Sequence, residues 1–167
     1  MKLAVILALS LSYAFPAHSQ AATWQEHEAD ARSFLSPCPM AGKKPDTACV
    51  DGQKTFIHTY VWAMAHDAIA ISVMPQAFDP QKTEDERRNF NNVVPPDSVQ
   101  ACAWAYFIYY FTERDPKVKP GFVRHCHPLD RADFQQAADR MKEIANSMDD
   151  DARPPANWKP RILGLKT

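Results

Sequence analysis

Prolines divide this chain into stretches with the apolar spacing of helices. Pro37 follows the first stretch, Pro75 ends the second, and Pro95 and Pro96 precede the third. Because proline lacks a backbone donor and disfavours helical geometry in the residue before it, we expect helices to begin or end at these points. The chain has only 4 glycines beside 14 prolines, which disfavours a turn-dense β architecture. The pattern predicts an all-α fold.

Two predicted helices lie in the first half of the chain. The first runs from about Thr23 to Leu35, with Thr23 and Glu26 spaced as a capping box. The second begins at an Asp51 N-cap and stops before Pro75, and its polar side chains form only a narrow strip. A helix that is apolar on most sides belongs in the middle of a bundle.

Two further helices are predicted in the second half. The third begins near Asp97 and ends near Glu113, and no residue from Ser98 to Thr112 is charged. Its aromatic content also suits a strand, but its length and its Pro-Pro-Asp start favour a helix. The fourth follows an Asp130 N-cap and places apolar residues opposite a strongly charged face.

Together these segments predict a compact four- or five-helix bundle with proline-rich loops, formed by residues 20–148. A short turn capped at Thr83 lies between the second and third helices. Residues 149–167 contain consecutive acids and several prolines, so we predict an extended C-terminal tail. We expect Trp158 or Ile162 to pack against the bundle and hold the tail there.

The N-terminal stretch has the pattern of a secretory signal peptide. Lys2 precedes an apolar run from Leu3 to about Leu11, and small residues follow near Ser19. The run is much shorter than the ~20 residues that a membrane-spanning helix needs. We therefore predict that residues 1–19 are removed and that the mature chain is exported.

Export to an oxidising compartment predicts a periplasmic protein, with an extracellular location as the alternative. The full chain has 19 basic and 20 acidic residues, and Lys2 is the only charged residue of the signal peptide. Its removal gives the mature protein a net charge of about −2. This balance does not favour nucleic acid as a partner. The later apolar stretches are too short or carry charged residues, so we predict no membrane span in the mature chain.

Four cysteines in an exported chain of this size predict two disulfides, although the sequence allows three pairings. Cys38 with Cys49 would close the proline-rich loop onto the second helix. Cys102 with Cys126 would tie the third helix to the loop before the fourth. Each bridge could contribute a few kcal/mol to stability.

The string HCHPLD is the most metal-like part of the sequence, because His125, Cys126, His127 and Asp130 offer donors within a short distance. An oxidised Cys126 would supply no thiolate, and the spacing matches no standard zinc site. A polar loop in which Asp130 caps a helix is the preferred interpretation, and we predict no cofactor.

The sequence gives no positive indication of an enzyme. His58 and His66 lie two helical turns apart on the second helix, too far to share one metal ion. Asp67 could orient a catalytic His66, but a hydrogen-bonded core feature is the favoured interpretation. We therefore assign no catalytic residue.

An aromatic run on the third helix is the remaining unusual feature. Burial in the core explains about half of it, because a bundle helix buries about half its surface. The others are expected to reach a surface, where tyrosine and tryptophan favour partner contacts. The candidate partner-binding residues are Trp104, Tyr106, Tyr109 and Tyr110.

Two stretches resemble the Tai-type immunity proteins of type VI secretion. They are ACVDGQKTFIHTYVWAMAHDA, from Ala48 to Ala68, and VVPPDSVQACAWAYFIYYFTERDP, from Val93 to Pro116. In that family a signal peptide precedes a helical domain, a cysteine leads into a long helix, and a proline-valine segment leads into another. The resemblance implies a periplasmic protein that binds and blocks a cell-wall-degrading toxin without catalysis of its own.

Three functions follow as hypotheses. The first is an exported helical binding protein with a protein partner, such as a secreted peptidoglycan-degrading toxin, or with a second copy of itself in a homodimer. The second is an exported metal-binding or hydrolytic protein that uses His125, His127 and Asp130. The third is a helical bundle whose aromatic helix lines a pocket for an apolar ligand.

Overall fold

The computed structural model describes residues 22–82, 90 and 92–159. The predicted signal peptide, the turn at Thr83 and the tail residue Ile162 lie outside these residues. The elements are α1 (Trp24–Ser33), β1 (Met40–Ala41), β2 (Lys44–Pro45), α2 (Thr47–Met64), α3 (Ala68–Phe78), α4 (Ser98–Phe111), α5 (Lys119–Cys126), α6 (Arg131–Ser147) and a 3₁₀ turn (Asp150–Ala152). The predicted helical class is confirmed, but six helices are present within the described residues, where four or five were expected.

Three helix starts follow the capping chemistry that the sequence indicates. Thr23 accepts a hydrogen bond from the Glu26 backbone, and the Glu26 carboxylate accepts one from the Thr23 backbone, which completes the capping box of α1. Asp97 caps α4 and Asp130 caps α6 through their carboxylates. Each cap satisfies backbone donors that the first turn of a helix leaves unpaired.

The prediction of a single helix from Asp51 to just before Pro75 is wrong. Two helices, α2 and α3, occupy this part of the chain, and they begin and end at other residues. Its N-cap is Asp46, which accepts a hydrogen bond from Cys49 N at 2.8 Å, and Asp51 lies inside α2. The chain then turns at His66, where φ is 59°, and Asp67 caps a separate helix, α3. Pro75 does not end that helix but lies within it. Asp67 offers a local cap that competes with continuation of α2.

The segment between α4 and α6, predicted as a loop, contains the short helix α5. Pro120 lies in its first turn, where the missing backbone donor would be unpaired in any case. Proline therefore starts a helix here rather than interrupting one, and the prediction of a loop was wrong for this reason.

Helix α4 lies at the centre of the packing, with α3, α5 and α6 against it, and α2 packs between α1 and α3. This position explains why α4 has no charged residue. The largest fully buried side chains come from α2, α3, α4 and α6. They include Phe56, Ile57, Tyr60, Met64, Met74, Phe78, Trp104 and Ile144. Among the described residues, no helix is both long and apolar enough to span a bilayer.

Trp158 holds the C-terminal tail against α1 and α2, as predicted from the sequence. The indole of Trp158 contacts the Trp24 ring edge to face at 5.8 Å and stacks on His58 at 5.9 Å between centroids. Its Nε1 donates a hydrogen bond of 3.3 Å to the Glu28 carboxylate. One residue thus contributes both apolar and polar contacts.

Candidate interaction surfaces

Both predicted disulfides are present. Cys38 is bonded to Cys49 and Cys102 to Cys126, so no thiol remains free. The first bridge joins the segment after α1 to the first turn of α2. The second joins α4 to the last residue of α5. Two of the three possible pairings are thereby excluded.

The Cys38–Cys49 bridge closes a small protruding loop, residues 39–45, which we call the bridged hairpin. Its two strands are antiparallel. The buried Gln53 side chain donates a 2.7 Å hydrogen bond to the carbonyl of Ser36, just before the hairpin. Covalent and hydrogen-bonded contacts thus hold both ends of the loop, which reduces the conformational entropy it would lose on binding.

The tip of the bridged hairpin is fully on the surface. Gly42 adopts a φ of 70°, a conformation that glycine takes without steric cost, and this allows the tight turn. Met40 is 63% exposed, and Lys43 and Lys44 are exposed beside it. A flexible apolar side chain and two cations are therefore displayed on a constrained loop.

The four predicted partner-binding aromatics of α4 divide into buried and accessible residues. Trp104 is completely buried and contacts the rings of Tyr60 and Phe107 at 5.9 and 6.2 Å. The assignment of Trp104 to a partner surface is wrong, because its side chain is enclosed in the core and packs against Tyr60 of α2. Trp104 is a core residue.

Tyr106 and Tyr109 are half-buried against the neighbouring helices. Tyr106 packs on Phe122 of α5 and Phe134 of α6, at 5.4 and 5.8 Å between ring centroids. Tyr109 stacks on the Phe122 ring at 4.9 Å between centroids. These contacts hold α5 and α6 on α4 and leave only parts of the tyrosines accessible.

The last two residues of α4 form what we call the aromatic edge, Tyr110 and Phe111. They are 53% and 55% exposed and contact each other at 5.7 Å. Phe111 also packs on the buried Phe107 at 4.2 Å, so the edge is attached to the core. Sequence reasoning named Tyr110 but not Phe111 as a partner residue, although both belong to the same aromatic run.

The structure does not bring the three candidate metal ligands together. His125 is buried and faces Asp79, with 3.7 Å between Nδ1 and Oδ2. His127 is exposed, and Asp130 accepts two backbone hydrogen bonds at the start of α6. No group of three His, Cys, Asp or Glu side chains suited to a metal ion occurs in the described part of the chain.

His125 instead belongs to a polar contact between α3 and α5 that the sequence did not reveal. The buried Asp79 carboxylate, at the end of α3, accepts a 2.6 Å hydrogen bond from Arg124. Its second oxygen accepts a 2.8 Å bond from the Gln81 backbone. Because 45 residues separate Asp79 from Arg124, no local spacing indicates this pair.

The sequence suggested that His58 and His66 belong to a hydrogen-bonded feature of the core. The structure contradicts this, because neither histidine is buried. His58 is exposed and stacks on Trp158, and His66 is exposed in the turn between α2 and α3. One carboxylate oxygen of Asp67 accepts a 2.8 Å hydrogen bond from the Ala70 backbone. Asp67, the residue that could have oriented a catalytic His66, is thus the N-cap of α3.

A second unforeseen network joins α1, α2 and α6. The hydroxyl of the buried Tyr60 donates to the Asp30 carboxylate, and Arg140 reaches Asp30 and Tyr60, each at 3.4 Å. Arg140 also donates to Gln100 of α4 at 3.3 Å. Burial, followed by the negative charge of Asp30, raises the pKa of Tyr60 well above its ordinary value of 10.0, so the hydroxyl keeps its proton.

Comparison with known proteins gives no match: no protein-family model, no curated protein and no solved structure matches this chain.

Proposed function

We propose that this protein is an exported helical binding protein of the bacterial periplasm that inhibits a protein partner. The specific form of the proposal is an immunity protein that blocks a cell-wall-degrading toxin of type VI secretion. The signal-peptide pattern, the two disulfides and the resemblance of the Ala48–Ala68 and Val93–Pro116 stretches support it.

The aromatic edge is the observation that carries the proposal. Tyr110 and Phe111 are each more than half exposed, whereas the aromatic residues before them on α4 are buried or pack against residues of α2, α5 and α6. Large aromatics on a rigid support lose little conformational entropy on binding and dominate many protein interfaces. The contact between Phe111 and the buried Phe107 supplies that support.

The bridged hairpin supports an inhibitory mode of binding. A constrained loop with an exposed apolar residue can enter the cleft of an enzyme at a low entropic cost. Lys43 and Lys44 would favour a cleft lined by carboxylates, and Met40 would fill an apolar subsite. The hairpin and the aromatic edge share no residue, so each can be tested alone.

The immunity proposal is tested through the product of the adjacent gene. That product is expressed in the periplasm of a laboratory bacterium, with and without this protein, and lysis is measured by optical density. We expect lysis without this protein and survival with it. A neighbouring gene product that causes no lysis, or lysis that this protein does not prevent, contradicts the immunity assignment.

The binding surface is tested with single substitutions in the purified complex. Phe111→Ala should weaken binding by at least about tenfold, as expected for a hot-spot aromatic. Ile69→Ala is the matched control, because Ile69 is a large apolar residue that is 79% exposed elsewhere on the surface. Met40→Asp tests the hairpin in the same way. Unchanged affinity for both Phe111→Ala and Met40→Asp would contradict the proposed binding surfaces.

A further inference from the structure

A groove between α3, α4 and α5 shares no lining residue with either candidate interaction surface. Its volume is about 300 Å³. Ile108 of α4 and Phe122 of α5 contribute apolar walls, and Gln76, Lys117, Arg124 and His125 contribute polar ones. The volume lies at the small end of the range for ligand sites in proteins.

The charge of the groove favours an anion. Lys117, Arg124 and His125 all line it, and no acidic residue is among its lining residues in the described part of the chain. The buried Asp79 carboxylate lines an adjoining crevice, where it lies 2.6 Å from Arg124 and 3.7 Å from His125. Asp115 follows α4 and accepts a hydrogen bond from the Lys117 backbone, at 2.8 Å.

The walls of the groove are held in place before any ligand binds. The Cys102–Cys126 disulfide fixes the end of α5 to α4, one residue after His125. The Asp79–Arg124 ion pair fixes α5 to α3. A rigid cluster of charged side chains binds an ion more tightly than a flexible cluster does, because fewer side chains must be ordered on binding.

From this geometry we propose that the groove binds a small organic anion, with a carboxylate beside Lys117 and His125 and an apolar group against Ile108 and Phe122. The apolar walls favour a ligand with an apolar group over a fully hydrophilic ion, and Lys117 favours an anion over a neutral ligand of the same shape. This site does not depend on the proposed inhibitor function, since it would be present in the isolated protein.

The test uses 3-phenylpropanoate as the probe and 3-phenylpropan-1-ol as its neutral counterpart, with binding followed by NMR shifts of Ala105 and Ile108. We expect the acid to bind at least about fivefold more tightly than the alcohol. Lys117→Glu should weaken binding of the acid by a similar factor. Lys119→Glu is the matched control, because it makes the same charge change two residues away, at a position that does not line the groove.

A second variant fills the groove without changing its charge. A Cβ atom placed on Gly121 would meet nothing within 4 Å, and Gly121 lines the groove, so Gly121→Leu is chosen to occupy it. This variant should fold normally by circular dichroism and lose binding of the acid. Equal binding of acid and alcohol, no effect of Lys117→Glu, or no binding at millimolar concentrations would each overturn the proposal.

Discussion

The hydroxyl of Tyr60, on the buried side of α2, donates a hydrogen bond to the carboxylate of Asp30 on α1. Arg140 of α6 lies 3.4 Å from both partners. This contact puts a charged hydrogen bond at the junction of three helices, where most neighbouring contacts are apolar. It connects segments that are 30 and 110 residues apart in the sequence.

Tyr60→Phe should lower the free energy of unfolding by about 1 to 2 kcal/mol, because a hydrogen bond to a charged group is lost while the ring still fills its place. Asp30 keeps Arg140 and partial solvent access, so the cost stays moderate. Denaturant unfolding checks this value. Tyr110→Phe is the control, since its ring is exposed, and it should change stability by less than about 0.5 kcal/mol. Equal effects of the two substitutions would contradict the role of the Tyr60 hydroxyl.

His27 should make the protein less stable in weak acid. It is 3% exposed, and burial lowers the pKa of its imidazole below the ordinary value of 6.5. The unfolded chain therefore binds the proton more readily, so this part of the stability is present above that value and is lost as the pH falls below it. Its Nε2 is buried without a hydrogen-bond partner among the described residues.

The measurement is the free energy of unfolding between about pH 7 and about pH 5, a range chosen to span the histidine titration. The native protein should lose stability across this range, and His27→Phe should lose less, whatever its absolute stability. Ile69→Ala, which changes an exposed residue without a titratable group, should keep the native pH dependence. A pH profile that His27→Phe leaves unchanged would exclude this explanation.

Removal of either disulfide should destabilise the protein, and the second should matter more. The bridges span 11 and 24 residues, for which loop-closure entropy gives losses of about 3 and about 3.5 kcal/mol. Cys102 and Cys126 are also buried, so replacing both by alanine leaves a void in the core. Denaturant unfolding of the two double variants compares them. A larger loss from the Cys38–Cys49 pair would contradict the ranking.

Trp158→Ala should release the tail from α1 and α2 and cost about 1 to 3 kcal/mol, because two ring contacts and one hydrogen bond are lost together. Hydrogen exchange of α1 should become faster at the same time. Lys159→Ala, the neighbouring exposed position, is the control and should be close to neutral. Unaltered exchange in α1 would show that the tail does not stabilise that helix.

The sequence alone predicted the features that depend on a few neighbouring residues. The caps at Thr23, Asp97 and Asp130 are such features, because each is formed by one side chain and the backbone of the next turn. The same reasoning placed the start of α2 at Asp51, whereas the N-cap is Asp46. Asp46 lies directly after the bridged hairpin, and its backbone donates a 2.9 Å hydrogen bond across the hairpin to the carbonyl of Pro39.

Tertiary packing decided the features that depend on distant residues. Trp104 and Tyr110 are both aromatic residues of α4, yet one is fully buried and the other is 53% exposed, because neighbouring helices cover α4 along only part of its length. In the same way, the fold places His125 next to Asp79 and does not gather it with His127 and Asp130. Local hydrogen bonds are specified by spacing along the chain. Burial and long-range charge pairing depend on which helices become neighbours, and only the folded structure contains that information.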